Sequence, residues 1–439
     1  MSVHQHWDPL EACLVGKSYS PEFYSYIENP KIRNAFEKIA IETEEDYQKI
    51  ISKLEEFNVE VVRMDVGSYE DYYDKEKDKN DLCRVCPPMQ PRDFTAMVGD
   101  RFFMPGPDFC NPNNIEGIYW GMLDDWNKSP ERLHDEEVMC KFILDAMQPG
   151  RPHDLKGSWN EIRENWKDDL LKNGSGFLSH LDIDSAKKLI LAAERNTIGS
   201  NARVNRDLFY DVWNPVRKWC DDNGIEKVYD QYINSATMWR MGKDLYFSLV
   251  NIVNYMNRDH CVSKWQKIFP DYNIHVLDEP GHCDGGMHPI KPGLIASTNS
   301  YATPKFFPGW DIVEVDLHWD KMEGWRNIKN KNKGRWWIEG EEDNKELEEF
   351  IDCWMNDWVN YAAESVFDVN MLIIDENNVI CNNYNENLFK KFDEYNVTPH
   401  VINFRHRYFW DGGLHCITSD LKRKGEKGDF SYIKNKKDS

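Results

Sequence analysis

The sequence predicts an α/β protein assembled from a recurring unit, in which two short strands form a hairpin, a helix follows and a third strand returns. Three observations lead there. Apolar segments too short for helices come in pairs around turn residues, amphipathic segments follow some of the pairs, and a further short apolar segment follows those. The pairs are residues 94–98 and 101–104 around Gly99-Asp100, and residues 236–241 and 244–247 around Gly242-Lys243. Two more are residues 287–290 and 294–297 around Lys291-Pro292-Gly293, and residues 370–374 and 379–382 around Asp375-Glu376-Asn377-Asn378. Helices are expected at 251–268 and 385–394, with returning strands at 274–277 and 400–404.

Ahead of these units stand a strand at 11–16, a long helix whose apolar positions include Phe36, Ile39, Tyr47, Ile50, Leu54 and Phe57, and a strand at 59–64. A closed ring of such units would bury the helix faces together and gather loop residues from several repeats at one centre. The alternative is a two-domain α/β protein. Between about 105 and 200 the rhythm breaks into a stretch rich in Trp, Asp and Asn, with Trp120, Trp126, Trp159 and Trp166, which reads as an insertion over the site. Residues 319–342 read as a second irregular loop. The expected domain therefore spans 1–421, and the lysine-rich residues 422–439 are expected as a solvated, mobile tail.

With 41% hydrophobic and 13% aromatic residues, the 439-residue chain has enough apolar surface to outweigh chain entropy, which excludes general disorder. Its 54 basic and 76 acidic residues give a net charge of -22. Such a charge repels a phosphate backbone and an anionic membrane, so neither nucleic acid nor membrane is an expected partner. No apolar run approaches the ~20 residues of a membrane span, and the first residues lack the basic and apolar regions of a secretory leader. Eleven cysteines, an odd number scattered from Cys13 to Cys416, fit reduced thiols, and a cytoplasmic protein is expected. Cys83-Arg84-Val85-Cys86 has CxxC spacing, yet no second pair or nearby histidine completes a zinc site, so these are expected to be structural thiols. His4 and His6 are expected as exposed terminal residues.

Three segments carry chemistry. Cys416 stands in Asp411-Gly412-Gly413-Leu414-His415-Cys416-Ile417-Thr418-Ser419-Asp420, expected as a short strand entered through paired glycines that permit close backbone approach. A thiol there can be displayed to a ligand, although a buried structural thiol is the commoner role of a cysteine. His282 lies in Gly281-His282-Cys283-Asp284-Gly285-Gly286; in extended chain, residues two apart project to the same side, so His282 and Asp284 could face one ligand, although a satisfied surface turn is the commoner explanation of such a pattern. Asp93 closes Pro91-Arg92-Asp93 at the entrance of the first hairpin. A guanidinium is a planar fork of N–H donors that carboxylates meet by charge-assisted bonds, so two converging aspartates beside a thiol would suit it.

These segments, in this order and with this hairpin rhythm, resemble the arginine:glycine amidinotransferase family of the pentein superfamily, whose fold is a five-bladed α/β propeller. The resemblance spans most of the chain. It rests on Met89-Gln90-Pro91-Arg92-Asp93, Met238-Trp239-Arg240-Met241-Gly242-Lys243-Asp244, His282-Cys283-Asp284 with Pro289-Ile290-Lys291-Pro292-Gly293, and Gly412-Gly413-Leu414-His415-Cys416. It implies a cysteine thiolate that attacks the guanidino carbon of arginine, a histidine that protonates the departing amine, and an amidino-cysteine released by a second amine. Carried over by position, Cys416 is the nucleophile, His282 the acid and base, and Asp93 and Asp284 the carboxylates on the guanidinium.

The sequence departs from the family at three positions. Asn234 stands where the family has an aspartate that orients the histidine, Tyr301 where it has an arginine on a substrate carboxylate, and Asp368 where a serine is expected. Asn234 is kept as a catalytic position and Tyr301 and Asp368 as substrate-binding ones, with Asp368 the expected replacement carboxylate near His282. The implied reaction moves the amidino group of arginine to an amine, glycine by default, and releases ornithine. Hydrolysis of arginine through the same adduct and non-catalytic guanidinium binding stay open beside it. No metal or cofactor is expected, the partners are the small-molecule substrates, and the oligomeric state is left open to a homodimer.

Overall fold

Five three-stranded sheets carry the fold, and each repeats one pattern. The computed structural model describes residues 2–73, 79–84, 86–104, 211–230, 233–248, 258–277, 282–298, 305–315, 336–355, 359 and 368–435. The expected insertion at 105–200, with its four tryptophans, lies outside these residues, as does Tyr301. In chain order the strands are β1 (Leu10–Val15), β2 (Glu60–Arg63), β3 (Ala96–Val98), β4 (Arg101–Met104), β5 (Glu226–Tyr229), β6 (Met238–Met241), β7 (Asp244–Phe247) and β8 (Asn273–Val276). They continue with β9 (Met287–Lys291), β10 (Leu294–Ser297), β11 (Asp311–Glu314), β12 (Leu372–Asp375), β13 (Asn378–Cys381), β14 (Thr398–Val401) and β15 (Thr418–Arg423).

The middle strands β1, β4, β7, β10 and β13 each run antiparallel to one neighbour and parallel to the other. An antiparallel neighbour needs only a tight turn, whereas a parallel one needs a crossover. Helices fill the crossovers: α1 (Pro30–Glu56) between β1 and β2, α2 (Asn214–Asp222) before β5, α3 (Arg258–Ile268) before β8, and, after α4 (Lys345–Trp354) between β11 and β12, α5 (Glu386–Glu394) before β14. The four expected hairpins are all present. What the local pattern does not reveal is the fifth: β15, from the far end of the chain, is the antiparallel partner of β1, with Val15 opposite Thr418 and Cys13 opposite Asp420. Both chain ends therefore complete one sheet.

Two expectations are corrected here. β15 runs through Arg423, past the expected boundary at 421, and residues 424–433 after it keep contact with the body. Lys422 pairs with Glu11 at 2.8 Å, Phe430 meets Trp7 edge-on at 4.9 Å, and Ile433 is buried. His6 is likewise buried, 1% exposed, not a free terminal residue. Cys83 fits its structural reading: its Sγ lies 2.8 Å from the Tyr26 hydroxyl, inside a cluster of aromatic rings.

α1 begins at Pro30, where a missing N–H costs nothing, after an Asn29 cap that accepts from Lys31 N. Ile32, Phe36, Ile39, Tyr47, Ile50 and Leu54 recur at helical spacing and form its buried stripe, which meets Leu347 and Ile351 of α4 in one core. Its polar flank holds the chain that leads to Cys416. Asp46 accepts from Arg405 N at 2.9 Å and from Arg405 Nε at 3.0 Å, Glu42 meets His406 Nε2 at 2.6 Å, and Thr43 Oγ1 accepts from Trp410 Nε1 at 2.9 Å.

Beneath the sheet entrances a buried carboxylate gathers three arginines. Asp420 Oδ1 accepts from Arg92 at 3.1 Å and Arg423 at 3.2 Å, and Oδ2 from Arg240 at 2.6 Å, with all four side chains at 0% or 1% exposure. The spare guanidinium donors go to carbonyls: Arg92 to His415 and Thr418, Arg240 to Met97, and Arg423 to Asp8 and Ile373. Burial alone would raise the Asp420 pKa, but Arg423, Arg92 and Arg240 outweigh it and hold the carboxyl well below its usual range. A depressed acid contributes stability that is full above its unfolded pKa and is lost as pH falls through the folded value. Asp420→Asn is therefore expected to cost about 3–5 kcal/mol in urea unfolding at neutral pH, because it strands buried guanidinium charge, and the deficit should shrink in acid. A neutral-pH loss below about 1 kcal/mol would contradict this role.

Candidate active site

The repeated topology delivers the site, because the candidate residues sit just ahead of the first strand of a sheet. Asp93 precedes β3, Asn234 precedes β6, His282 and Asp284 precede β9, Asp368 and Asn370 precede β12, and Cys416 precedes β15. Hydrogen bonds join each entrance to the next. Ser235 N donates to Thr95 O at 2.9 Å, Cys283 N to Ala236 O at 2.7 Å, Asn370 Nδ2 to Asp284 O at 3.4 Å, His415 N to Asn370 Oδ1 at 2.8 Å, and Arg92 N to Cys416 O at 3.4 Å. The last link closes the circuit.

Cys416 lies not within a strand, as expected, but in the turn at 414–417 that enters β15. The paired glycines do allow the close approach foreseen for them. A Cβ on Gly413 would sit 2.6 Å from Asn370 Oδ1, and one on Gly412 would sit 2.5 Å from Gln90 Nε2 and 3.3 Å from Cys416 Cβ. Asn370, fully buried, clamps the Cys416 turn from both ends of its amide. Its Oδ1 accepts from the backbone N–H groups of His415 at 2.8 Å and Cys416 at 3.2 Å, while its Nδ2 donates to Cys416 Sγ at 2.9 Å. A donor aimed at sulfur favours the thiolate, the form that acts as nucleophile.

Asp284 is buried beside the thiol, and its Oδ2 accepts from Cys416 Sγ at 3.4 Å and from His415 Nδ1 at 2.7 Å. The expectation that His282 and Asp284 alternate along extended chain is corrected: only His282 is extended, and residues Cys283–Gly286 form a helical turn that sends Asp284 inward. His282 stays one-third exposed, with Nδ1 3.9 Å from Asp93 Oδ1. Burial and then repulsion from Asp411 push the Asp93 carboxyl up to about 7, against the pull of Arg92. Burial raises Asp284 too, and nearby His282 opposes that shift. Asp93 Oδ1 and Asp284 Oδ1 are buried with no hydrogen-bond partner among the described residues.

The other predicted positions have their own surroundings. Asn234 Oδ1 accepts from Thr237 N at 3.1 Å and Thr237 Oγ1 at 3.0 Å, closing the turn into β6, and this turn is bonded to the segment after His282. Asp368 uses both oxygens on asparagines, Oδ1 with Asn383 at 2.9 Å and Oδ2 with Asn385 at 3.0 Å. Sequence reasoning passed over Asn370 and His415. The one signal for His415 was its place directly before Cys416, and Asn370 offered none beyond opening a strand.

The chain is 24% identical over 233 residues to the mitochondrial glycine amidinotransferase of Xenopus tropicalis, a match covering 50% of this chain and 47% of that protein. It is 22% identical over 236 residues to the L-arginine:L-lysine amidinotransferase of Pseudomonas savastanoi pv. phaseolicola, covering 52% and 54%. The chain spans about half the length of the curated relatives it matches. Its fold is similar to that of an amidinotransferase from Microseira wollei in the saxitoxin biosynthetic pathway, with a TM-score of 0.50, 14% identity and coverage of 98% and 99% of the two chains. No protein-family model matches the chain.

Replacing Asn370 by Asp keeps an acceptor for the two N–H groups but puts negative charge where the amide donor faces sulfur. Asn370→Asp is expected to slow alkylation of Cys416 by iodoacetamide at least tenfold at pH 7.5, since charge repulsion raises the thiol pKa. Peptide mass spectrometry resolves this site from the other cysteines, and an unchanged rate would show that the amide does not act on sulfur.

Proposed function

We propose that the chain, which is similar to amidinotransferases over about half its length and shares the fold of one, transfers the amidino group of L-arginine through Cys416 to an amine, with glycine as the default acceptor. The observation that carries this reading is the pair of orphaned, buried carboxylate oxygens on Asp93 and Asp284, beside a thiol held by Asn370. A buried acceptor left unmade costs about 1–3 kcal/mol, and a planar cation with several N–H donors offsets that cost where a neutral substrate with a single donor cannot. The net charge of -22 favours approach of such a cation.

In the proposed reaction His282 takes the thiol proton of Cys416, and the thiolate forms a bond to the guanidino carbon. The bond from that carbon to the ornithine nitrogen then breaks, and His282 returns the proton to the leaving amine. An amidino group remains on sulfur. The acceptor amine adds to it, His282 receives the amine's proton, and the carbon–sulfur bond breaks to restore the thiolate; with glycine the product is guanidinoacetate. Exposure of His282 suits exchange of one amine for the other; the carboxylate beside its Nδ1 is Asp93, at 3.9 Å, and not the expected Asp368, whose oxygens face Asn383 and Asn385. Tyr301 keeps its proposed place at the substrate carboxylate and Asp368 a supporting one among Asn383 and Asn385. The proposal includes a cytoplasmic enzyme, which fractionation would test.

Intact-mass analysis after brief exposure to arginine is expected to show an amidino adduct on the wild type and none on Cys416→Ala, with turnover down by at least about 10³-fold. Products from arginine labelled in the guanidino carbon, with a mixture of amines, decide the fate of that adduct. Ornithine plus a labelled guanidino compound supports transfer. Citrulline without any acceptor requirement would make the protein a hydrolase, and binding without turnover would make it a guanidinium receptor.

The raised Asp93 pKa adds a pH prediction. Between the ordinary 3.8 and about 7 the folded protein holds a proton that the unfolded chain has released, so this group's contribution to stability falls as pH rises through that window. Arginine needs the ionised form. Its affinity is therefore expected to rise by roughly tenfold from pH 6 to 8, with proton release visible in calorimetry as a buffer-dependent enthalpy. Asp93→Asn should abolish that release, and a pH-independent affinity would remove Asp93 from the guanidinium site.

A further inference from the structure

Asp284 is fully buried, yet only one of its oxygens is engaged. The tighter of the two contacts on Oδ2 is His415 Nδ1 at 2.7 Å, closer than the 3.4 Å from Cys416 Sγ. His415 is itself 1% exposed and wedged among rings, with centroids at 5.0 Å to Trp239, 4.8 Å to His288 and 5.8 Å to His6. Its backbone is pinned at both ends, the N–H on Asn370 Oδ1 at 2.8 Å and the carbonyl on Arg92 Nε at 2.7 Å. The imidazole therefore has one orientation available. Its Nε2 has no hydrogen-bond partner among the described residues, so the proton belongs on Nδ1, facing the carboxylate. Burial, followed by the charge of Arg92 and the neighbouring His288 and His6, drives the His415 pKa well below its usual value, which keeps the ring neutral.

We propose that His415 is a positioning residue that donates its Nδ1–H to Asp284 Oδ2 and so fixes the carboxylate with Oδ1 open to a guanidinium N–H; this rests on the guanidinium-binding role of Asp284 proposed above. The bond matters most once Cys416 loses its proton. The S–H contact to Oδ2 then vanishes, and repulsion between thiolate and carboxylate would turn Asp284 away from the substrate. The charged and titratable groups facing Asp284 are Arg92, Asp93, His282, His415 and Cys416, and of these His415 is the neutral donor that remains once Cys416 is ionised.

Two measurements test this. In ¹⁵N-histidine spectra of the ligand-free protein, His415 is expected as the neutral Nδ1-protonated tautomer from pH 5 to 8; an Nε2-protonated ring would overturn the proposal whatever the protein's activity. In kinetics of amidino-adduct formation, His415→Leu is expected to raise the arginine concentration for half-saturation at least tenfold, with a smaller change in the limiting rate. It should also move the acidic limb of the pH profile upward, because a carboxylate without its donor is harder to ionise. His415→Asn, whose amide N–H can stand near the Nδ1 position, is expected to recover to within about threefold, a rescue that a purely structural loss would not show. Half-saturation in His415→Leu within twofold of wild type, with an unmoved limb, overturns the proposal. If His415→Leu does not fold, His415→Asn against His415→Gln decides, since Gln extends its amide to the Nε2 position, and equal behaviour of the two overturns it. A wild type that forms no adduct would sink the proposed function, while the tautomer would still decide the His415–Asp284 bond.

Discussion

The circuit of hydrogen bonds around the sheet entrances is the constraint on which the rest of the molecule depends. Three-stranded sheets of strands only three to six residues long are small units, and here each is tied to the next by a bond between chain segments far apart in sequence. The closing link, from Arg92 N to Cys416 O, exists only because β15 returns to pair with β1. Asp420 reinforces that closure from within by drawing arginines from three strand regions onto one carboxylate. Removing any one partner would leave charge buried without compensation, so the network specifies the arrangement as much as it stabilises it.

Burial acts in opposite directions on the acids and bases around this circuit. It raises Asp93 and Asp284 and lowers His6, His288 and His415, so the site rests with its carboxylates easily protonated and its inner imidazoles neutral. Arg92 moderates the first effect and deepens the second, because its guanidinium lies beside the Cys416 turn. The proposed guanidinium would compensate the carboxylates without disturbing the histidines.

α1 serves the site at a distance. Its apolar stripe builds the core with α4, while Glu42, Thr43 and Asp46 on its flank anchor residues 405–410. The turn bearing Cys416 begins directly beyond, so the helix, the glycine pair and Asn370 together leave the sulfur little freedom. This preorganisation accounts for a thiol placed on a turn without loss of definition.

Local elements were legible in the sequence because their causes are local. Turn residues between short apolar runs placed the hairpins, helical spacing from Phe36 to Leu54 placed α1, and Gly412-Gly413 announced a close approach. The resemblance brought Cys416, His282, Asp93 and Asp284 together before any coordinates did. The sequence by itself thus determined the repeated unit and the residue types that could meet a guanidinium. Tertiary structure decided how those residues are held: the inward turn of Asp284, the amide clamp of Asn370, the contact of His415 Nδ1 with Asp284, the burial of His6 and the packing of residues 424–433. Each of these depends on a contact across many residues of chain. Such contacts leave no periodicity to read, since what selects an asparagine at 370 is the sulfur 2.9 Å away from its amide and not its neighbours in sequence.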